Sequence, residues 1–109
     1  MTADKLASLI GQHRIPQIAV ARMANVNVAT VSLYLRGLCE VSERVRDDLV
    51  FVTYAMLEIA DESPTPIDWR QAAKLKPLVD TKVAEYRRAR TAELRRRFEE
   101  GGGTVSAVA

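Results

Sequence analysis

Between Gln17 and Gly37 the chain reads QIAVARMANVNVATVSLYLRG, and this stretch limits the possible folds more than any other. Val20, Ala24, Val26, Val31 and Tyr34 recur at spacings that place them on the inner faces of two short helices. Ala21 is small enough for those helices to cross closely at its Cβ. Asn25 sits where the chain must leave the first helix, and Asn tolerates the left-handed backbone usually given to glycine there. Asn27 can cap the next helix through its side-chain oxygen, and Gly37 ends it. The pattern predicts a helix, a tight turn and a second helix with a small core of their own, within an all-α chain.

The sequence VATVSLYLRG followed by VSERVRDDL resembles the headpiece of the lactose-repressor family. That family runs a TVS-containing recognition helix, a short loop and a helix with the pattern VS-x-x-TR-x-x-V. Thr30, Val31 and Ser32 match the first element, and Val41, Ser42 and Arg46 the second. The ending Tyr34-Leu35-Arg36-Gly37 is also similar to phage-repressor and Cro-like helix-turn-helix proteins. The resemblance covers about half of the 109 residues and departs from the family at Asn25, where glycine is usual, and at Val45, where Thr is usual. No sugar-binding domain is expected in a chain of this length, so no small-molecule effector is expected either. The resemblance implies a DNA-binding regulator, expected as a repressor of a small operon on a phage or other mobile element. Its second helix would span the DNA backbone while the third enters the major groove, and a two-fold dimer would bind an inverted repeat.

On the third helix the outward positions are Val28, Ala29, Ser32, Leu33 and Arg36, with Thr30 partly turned out. Base edges are read mainly by hydrogen bonds, but apolar side chains can contact thymine methyls, which suits Val28, Ala29 and Leu33. Leu33 has an equally good alternative as a residue buried by a neighbour. Arg36, Thr30, Ser32 and Asn27 are the polar groups able to meet phosphates or bases, although capping alone also explains Asn27. Arg22 on the second helix is as well explained by a surface ion pair as by a phosphate contact.

Charge is informative by position. The formal net charge is +2, and residues 1–60 carry six basic side chains (Lys5, Arg14, Arg22, Arg36, Arg44, Arg46) against six acidic ones. A neutral DNA-binding half requires that its charge be sided, with Arg14, Arg22 and Arg36 flanking the motif and Asp47, Asp48 and Glu58 on a later helix. Cys39 and His13 are the only residues of their types, which excludes an internal disulfide and argues against a metal site. No nucleophile is paired with a base and no glycine-rich phosphate loop follows a strand, so neither enzymatic activity nor a cofactor is expected. No apolar run reaches the ~20 residues that span a bilayer, and the N-terminus lacks a signal-peptide core, so a cytoplasmic protein is expected.

Along the chain, Thr2 is expected to cap a first helix with Leu6, Leu9 and Ile10 on its apolar edge, ending before Ile15-Pro16. Ser42 is expected to cap a fourth helix running to about Asp61. This helix has one apolar stripe of Val45, Leu49, Val52, Met56 and Ile59 and another of Val50, Phe51, Tyr54 and Leu57. It must therefore be covered on more than one side, by the C-terminal region of the same chain or by a second subunit. Residues 1–61 are expected to form the DNA-binding domain, 62–67 a proline-containing linker, 68–100 a helical arm and 101–109 a flexible tail.

In the arm, Asp68 is expected to cap a helix over Trp69 to Leu75 that Lys76-Pro77 breaks or restarts. Leu75, Leu78, Val79, Val83, Tyr86, Leu94 and Phe98 then form an amphipathic stripe, interrupted as a heptad by Arg90 and Glu93. Phe51, Tyr54, Leu57, Val79, Val83, Tyr86 and Leu94 are the residues expected to hold a homodimer together. The clusters Arg87-Arg88-x-Arg90 and Arg95-Arg96-Arg97 are interleaved with Glu85, Glu93, Glu99 and Glu100, which favours a solvated face over a nucleic-acid patch. Two other classes compete with the regulator: a packaging DNA-recognition subunit resembling a small terminase, and a helical protein-interaction module.

Overall fold

The computed structural model describes residues 1–100, with side chains through residue 96. The described residues form α1 (Ala3–Gln12), α2 (Gln17–Ala24), α3 (Val28–Leu35), α4 (Glu43–Glu62) and α5 (Lys76–Glu100). Two 3-10 turns, Trp69–Gln71 and Ala73–Leu75, precede α5. The tail expected over 101–109, and the side chains of Arg97, Phe98, Glu99 and Glu100, lie outside the described residues.

Three helices begin where a local acceptor is available. Thr2 Oγ1 accepts from the Lys5 amide at 3.3 Å, Asn27 Oδ1 from Ala29 at 2.8 Å and Ser42 Oγ from Val45 at 3.2 Å. Each bond satisfies an amide that the helix itself leaves without a partner. Between α2 and α3, Asn25 takes the left-handed conformation (φ 56°, ψ 41°) and the Val26 amide reaches back to Ala21 O at 2.9 Å. The helix axes turn through 119° across these three residues. Ala21, Val20 and Val31 are buried at the crossing, and Tyr34 and Leu35 close it. A second left-handed residue, Arg14 (φ 54°), ends α1 and swings Ile15 into the core.

The two apolar sides of α4 are covered within one chain. Leu49, Val52, Thr53, Ala55, Met56 and Ile59 are buried, with the Thr53 hydroxyl donating to Leu49 O at 2.8 Å. The second side meets α5, which runs antiparallel to α4: Lys82 Nζ lies 3.2 Å from Glu58 and 3.6 Å from Glu62, while Arg90 lies 2.8 Å from Asp47. Arg87 pairs with Asp48 between them.

Several of the residues expected to hold a dimer pack within the chain itself. Val79 is fully buried in the chain's own core, and Val83 and Tyr86 are half-buried against it. Phe51 lies beside Tyr86 (ring centroids 6.2 Å apart), with the Arg87 and Arg90 guanidinium groups 5.7 and 5.9 Å from its ring centre. Leu57 is half-buried as well. Only Tyr54 (43% exposed) and Leu94 (39%) remain open.

Instead of one helix from Trp69, the chain makes two tight turns. Pro77 has no N–H to give the carbonyl of Ala73, so α-helical bonding cannot run through it, whereas the first turn of α5 tolerates it. Asp68 still caps, accepting from the Arg70 amide at 3.1 Å. The turns bring Trp69 and Ala72 into the same core as α1 to α4, so one core spans the segment read as a linker. No single helix among the described residues is long and apolar enough to cross a membrane.

The α4–α5 contact carries a pH dependence. Glu58 accepts from the Tyr86 hydroxyl and from Lys82, and these bonds hold its carboxyl below the usual carboxylate range. Burial and the Glu58 bond push the Tyr86 hydroxyl up. Burial alone would lower Lys82, but its bonds to Glu58 and Glu62 raise it overall. A depressed carboxyl adds stability above its unfolded value, about 4.3, and loses that contribution as pH falls through its folded value. The raised Tyr86 and Lys82 add stability below their unfolded values, about 10 and 10.4, and lose it as pH rises. The thermal midpoint of the native chain is therefore expected to fall more steeply on acidification from pH 5 to 3 than that of Glu58→Gln. Parallel curves would show that this contact does not couple to protons.

Candidate nucleic-acid interface

An α-helix turns about 100° per residue, so the outward arc of α3 runs Val28, Ser32, Arg36, Ala29, Leu33. Val31, Tyr34 and Leu35 face in and are buried, with α3 packed on α1 and α2. Val28 is 42% exposed, Leu33 is 40% exposed, and Ala29 is open between them. Ser32 is half-buried and Arg36, the C-cap residue, is exposed. Among the described residues Leu33 is thus exposed and not buried by a neighbour.

Asn27 is exposed, with its side-chain oxygen engaged in the cap. Thr30 is turned in further than the outward set, and its carbonyl faces Cys39 Sγ at 3.9 Å. Arg22 is exposed on α2. The structure therefore gathers Val28, Ala29, Ser32, Leu33 and Arg36 on one surface, with Asn27 at its start and Thr30 at its margin.

Sequence reasoning missed Leu38. It follows Gly37 (φ 74°), its amide bonds Leu33 O at 2.8 Å, and its side chain is 63% exposed. The available signal was a bulky apolar residue in a loop, outside either helical period.

The electrostatics of this surface are one-sided. Between Lys5 and Glu40 the only charged residues are Arg14, Arg22 and Arg36, and no acidic side chain interrupts them. None of the three forms an ion pair among the described residues. Four of the six acidic residues of α4 are engaged by α5: Asp47 with Arg90, Asp48 with Arg87, and Glu58 and Glu62 with Lys82. The near-neutral first half of the sequence thus folds with Arg22 and Arg36 on α2 and at the end of α3, and with most of the acids of α4 paired to α5. Arg87 and Arg90 are spent in this way, while Arg88, Arg95 and Arg96 are exposed on α5.

Among the described residues no group of three His, Cys, Asp or Glu side chains could hold a metal ion. Cys39 is a free, half-buried thiol. What the outward side of α3 offers chemically is one guanidinium, one hydroxyl and a set of apolar groups, with no acidic residue on the helix itself. No protein-family model, curated protein or solved structure matches the chain.

Proposed function

We propose that the chain is a sequence-specific DNA-binding regulator of the helix-turn-helix type, laying α3 in the major groove while α2 crosses the backbone. The observation that carries this reading is that α2 and α3 carry no acidic residue while Arg22 and Arg36 are exposed on them without ion pairs among the described residues. Phosphates attract such a surface, and the polar groups along α3 then lie at the depth of the base edges. The 119° turn supports the reading, since DNA-reading helix pairs meet at roughly 90–120°.

The regulator acts as a dimer that occupies promoter DNA, its two α3 helices about one DNA turn, ~34 Å, apart. A groove of about 710 Å³ lined by Phe51, Tyr54, Tyr86 and Ala89 together with the charged Glu58, Arg90 and Glu93 is the surface left for a second copy.

Selection from random duplexes at moderate salt tests the proposal. The expected product is an inverted repeat with half-sites one turn apart. Enrichment of no motif removes the sequence-specific reading. A second reading, a protein-interaction module, is favoured by the exposed apolar groups Val28, Leu33 and Leu38, and failure to bind any duplex would select it.

A further inference from the structure

Resting on the DNA-binding reading, we infer that α3 reads the C5-methyl group of a pyrimidine, thymine or 5-methylcytosine, through Val28, Ala29 and Leu33, with Leu38 extending the contact beyond the helix. The outward arc of α3 carries only two side chains that can hydrogen-bond a base, Ser32 and Arg36. Asn27 is engaged in its cap, and Thr30 lies at the margin. Ala29, next to Leu33 on the arc, contributes a single methyl, so the helix backbone can approach the base edges closely there. Val28 and Leu33 stand at the two borders of the arc. Base edges in the major groove offer one kind of apolar group, the methyl on pyrimidine C5, and an apolar side chain has nothing else there to recognise.

Clustering supports the same conclusion. Among the described residues seven large apolar side chains are left exposed, and three of them, Val28, Leu33 and Leu38, belong to α3 or the loop behind it. Chance exposure scatters such residues singly. The charges carried by α2 and α3 themselves are cationic only, with Glu40 the first acid beyond them, which suits a polyanion better than an acid-bearing protein groove. The apolar surface of the arc is therefore assigned to DNA.

The test begins with the duplex recovered by random-site selection. Replacing each thymine of a half-site by uracil removes the methyl and leaves every hydrogen-bonding group in place. At one or more positions uracil is expected to weaken binding about fourfold, the value of one buried methyl-sized group. Leu33→Ala or Val28→Ala should abolish that difference, so that the variant binds the thymine and uracil duplexes alike. Both residues are exposed, and an unchanged thermal midpoint confirms that the variants remain folded. A parallel selection from cytosine-methylated pools identifies the source: a site enriched there and lost on unmethylated copies assigns 5-methylcytosine. Specific binding that tolerates uracil at every position, with no enrichment dependent on methylcytosine, overturns the methyl contact and leaves the DNA-binding reading intact. Absence of specific binding to any duplex overturns that reading, and the inference with it.

Discussion

A chain ending at Pro66 is expected to lose cooperative folding. The removed segment supplies Trp69, Ala72 and Val79 to the core, with Leu75, Val83 and Tyr86 packed around them. Truncating a buried Trp to Ala costs about 3–5 kcal/mol in well-packed proteins. The net stability of a domain this size is about 5–15 kcal/mol. Losing Trp69 and Val79 together, and uncovering Met56, Ile59 and Phe51, removes most or all of that margin. The truncated protein should show a shallow, non-cooperative melt by circular dichroism and should aggregate. Trp69→Ala in the full chain should give the graded form, a midpoint many degrees lower with cooperativity retained. A truncated chain that melts sharply near the native midpoint would mean that α1 to α4 form a self-sufficient unit and that α5 is an accessory.

The second large effect is expected on DNA. Arg36→Ala should weaken binding to the selected duplex by roughly 5- to 100-fold, the range for losing a guanidinium contact to guanine. Ser32→Ala removes one hydrogen bond, worth about two- to tenfold. Arg36 is exposed and Ser32 half-buried, and neither makes a side-chain hydrogen bond or ion pair among the described residues, so the thermal midpoint should hold while affinity falls. The form of the loss identifies the role of Arg36. Relaxed preference at one base pair means a base contact, whereas uniform loss with a salt slope reduced by about one means a phosphate contact. Unchanged affinity in both variants would remove the C-terminal half of α3 from the interface.

Much of the helix layout was legible because its causes are local. Thr2, Asn27 and Ser42 each lie next to the amide they cap, and Asn25 meets its own backbone requirement. The inner faces of α2 and α3 follow from a period of about 3.6 residues, which needs no knowledge of the partner surface. The same period identified the outward set on α3, because whatever a helix does not bury it presents. Arg14 escaped notice, since Arg has no particular preference for the left-handed region that it occupies. Leu38 escaped because loop residues carry no period.

Tertiary structure decided what covers α4. Its excess of apolar positions announces that two sides are buried, but an intramolecular arm and a second subunit satisfy that pattern equally. The choice was made by contacts between residues far apart in the chain: Arg90 on Asp47, Arg87 on Asp48, Phe51 beside Tyr86, and Val79 in the core. The same contacts decided where charge lies. Six cations and six anions in residues 1–60 sum to zero in any order, and only folding brings cations from α5 to acids of α4 and leaves Arg14, Arg22 and Arg36 without ion pairs among the described residues. Capping and periodicity act over a few residues and can be read along the chain, whereas burial and charge pairing depend on which surfaces meet in space, and no local pattern specifies that.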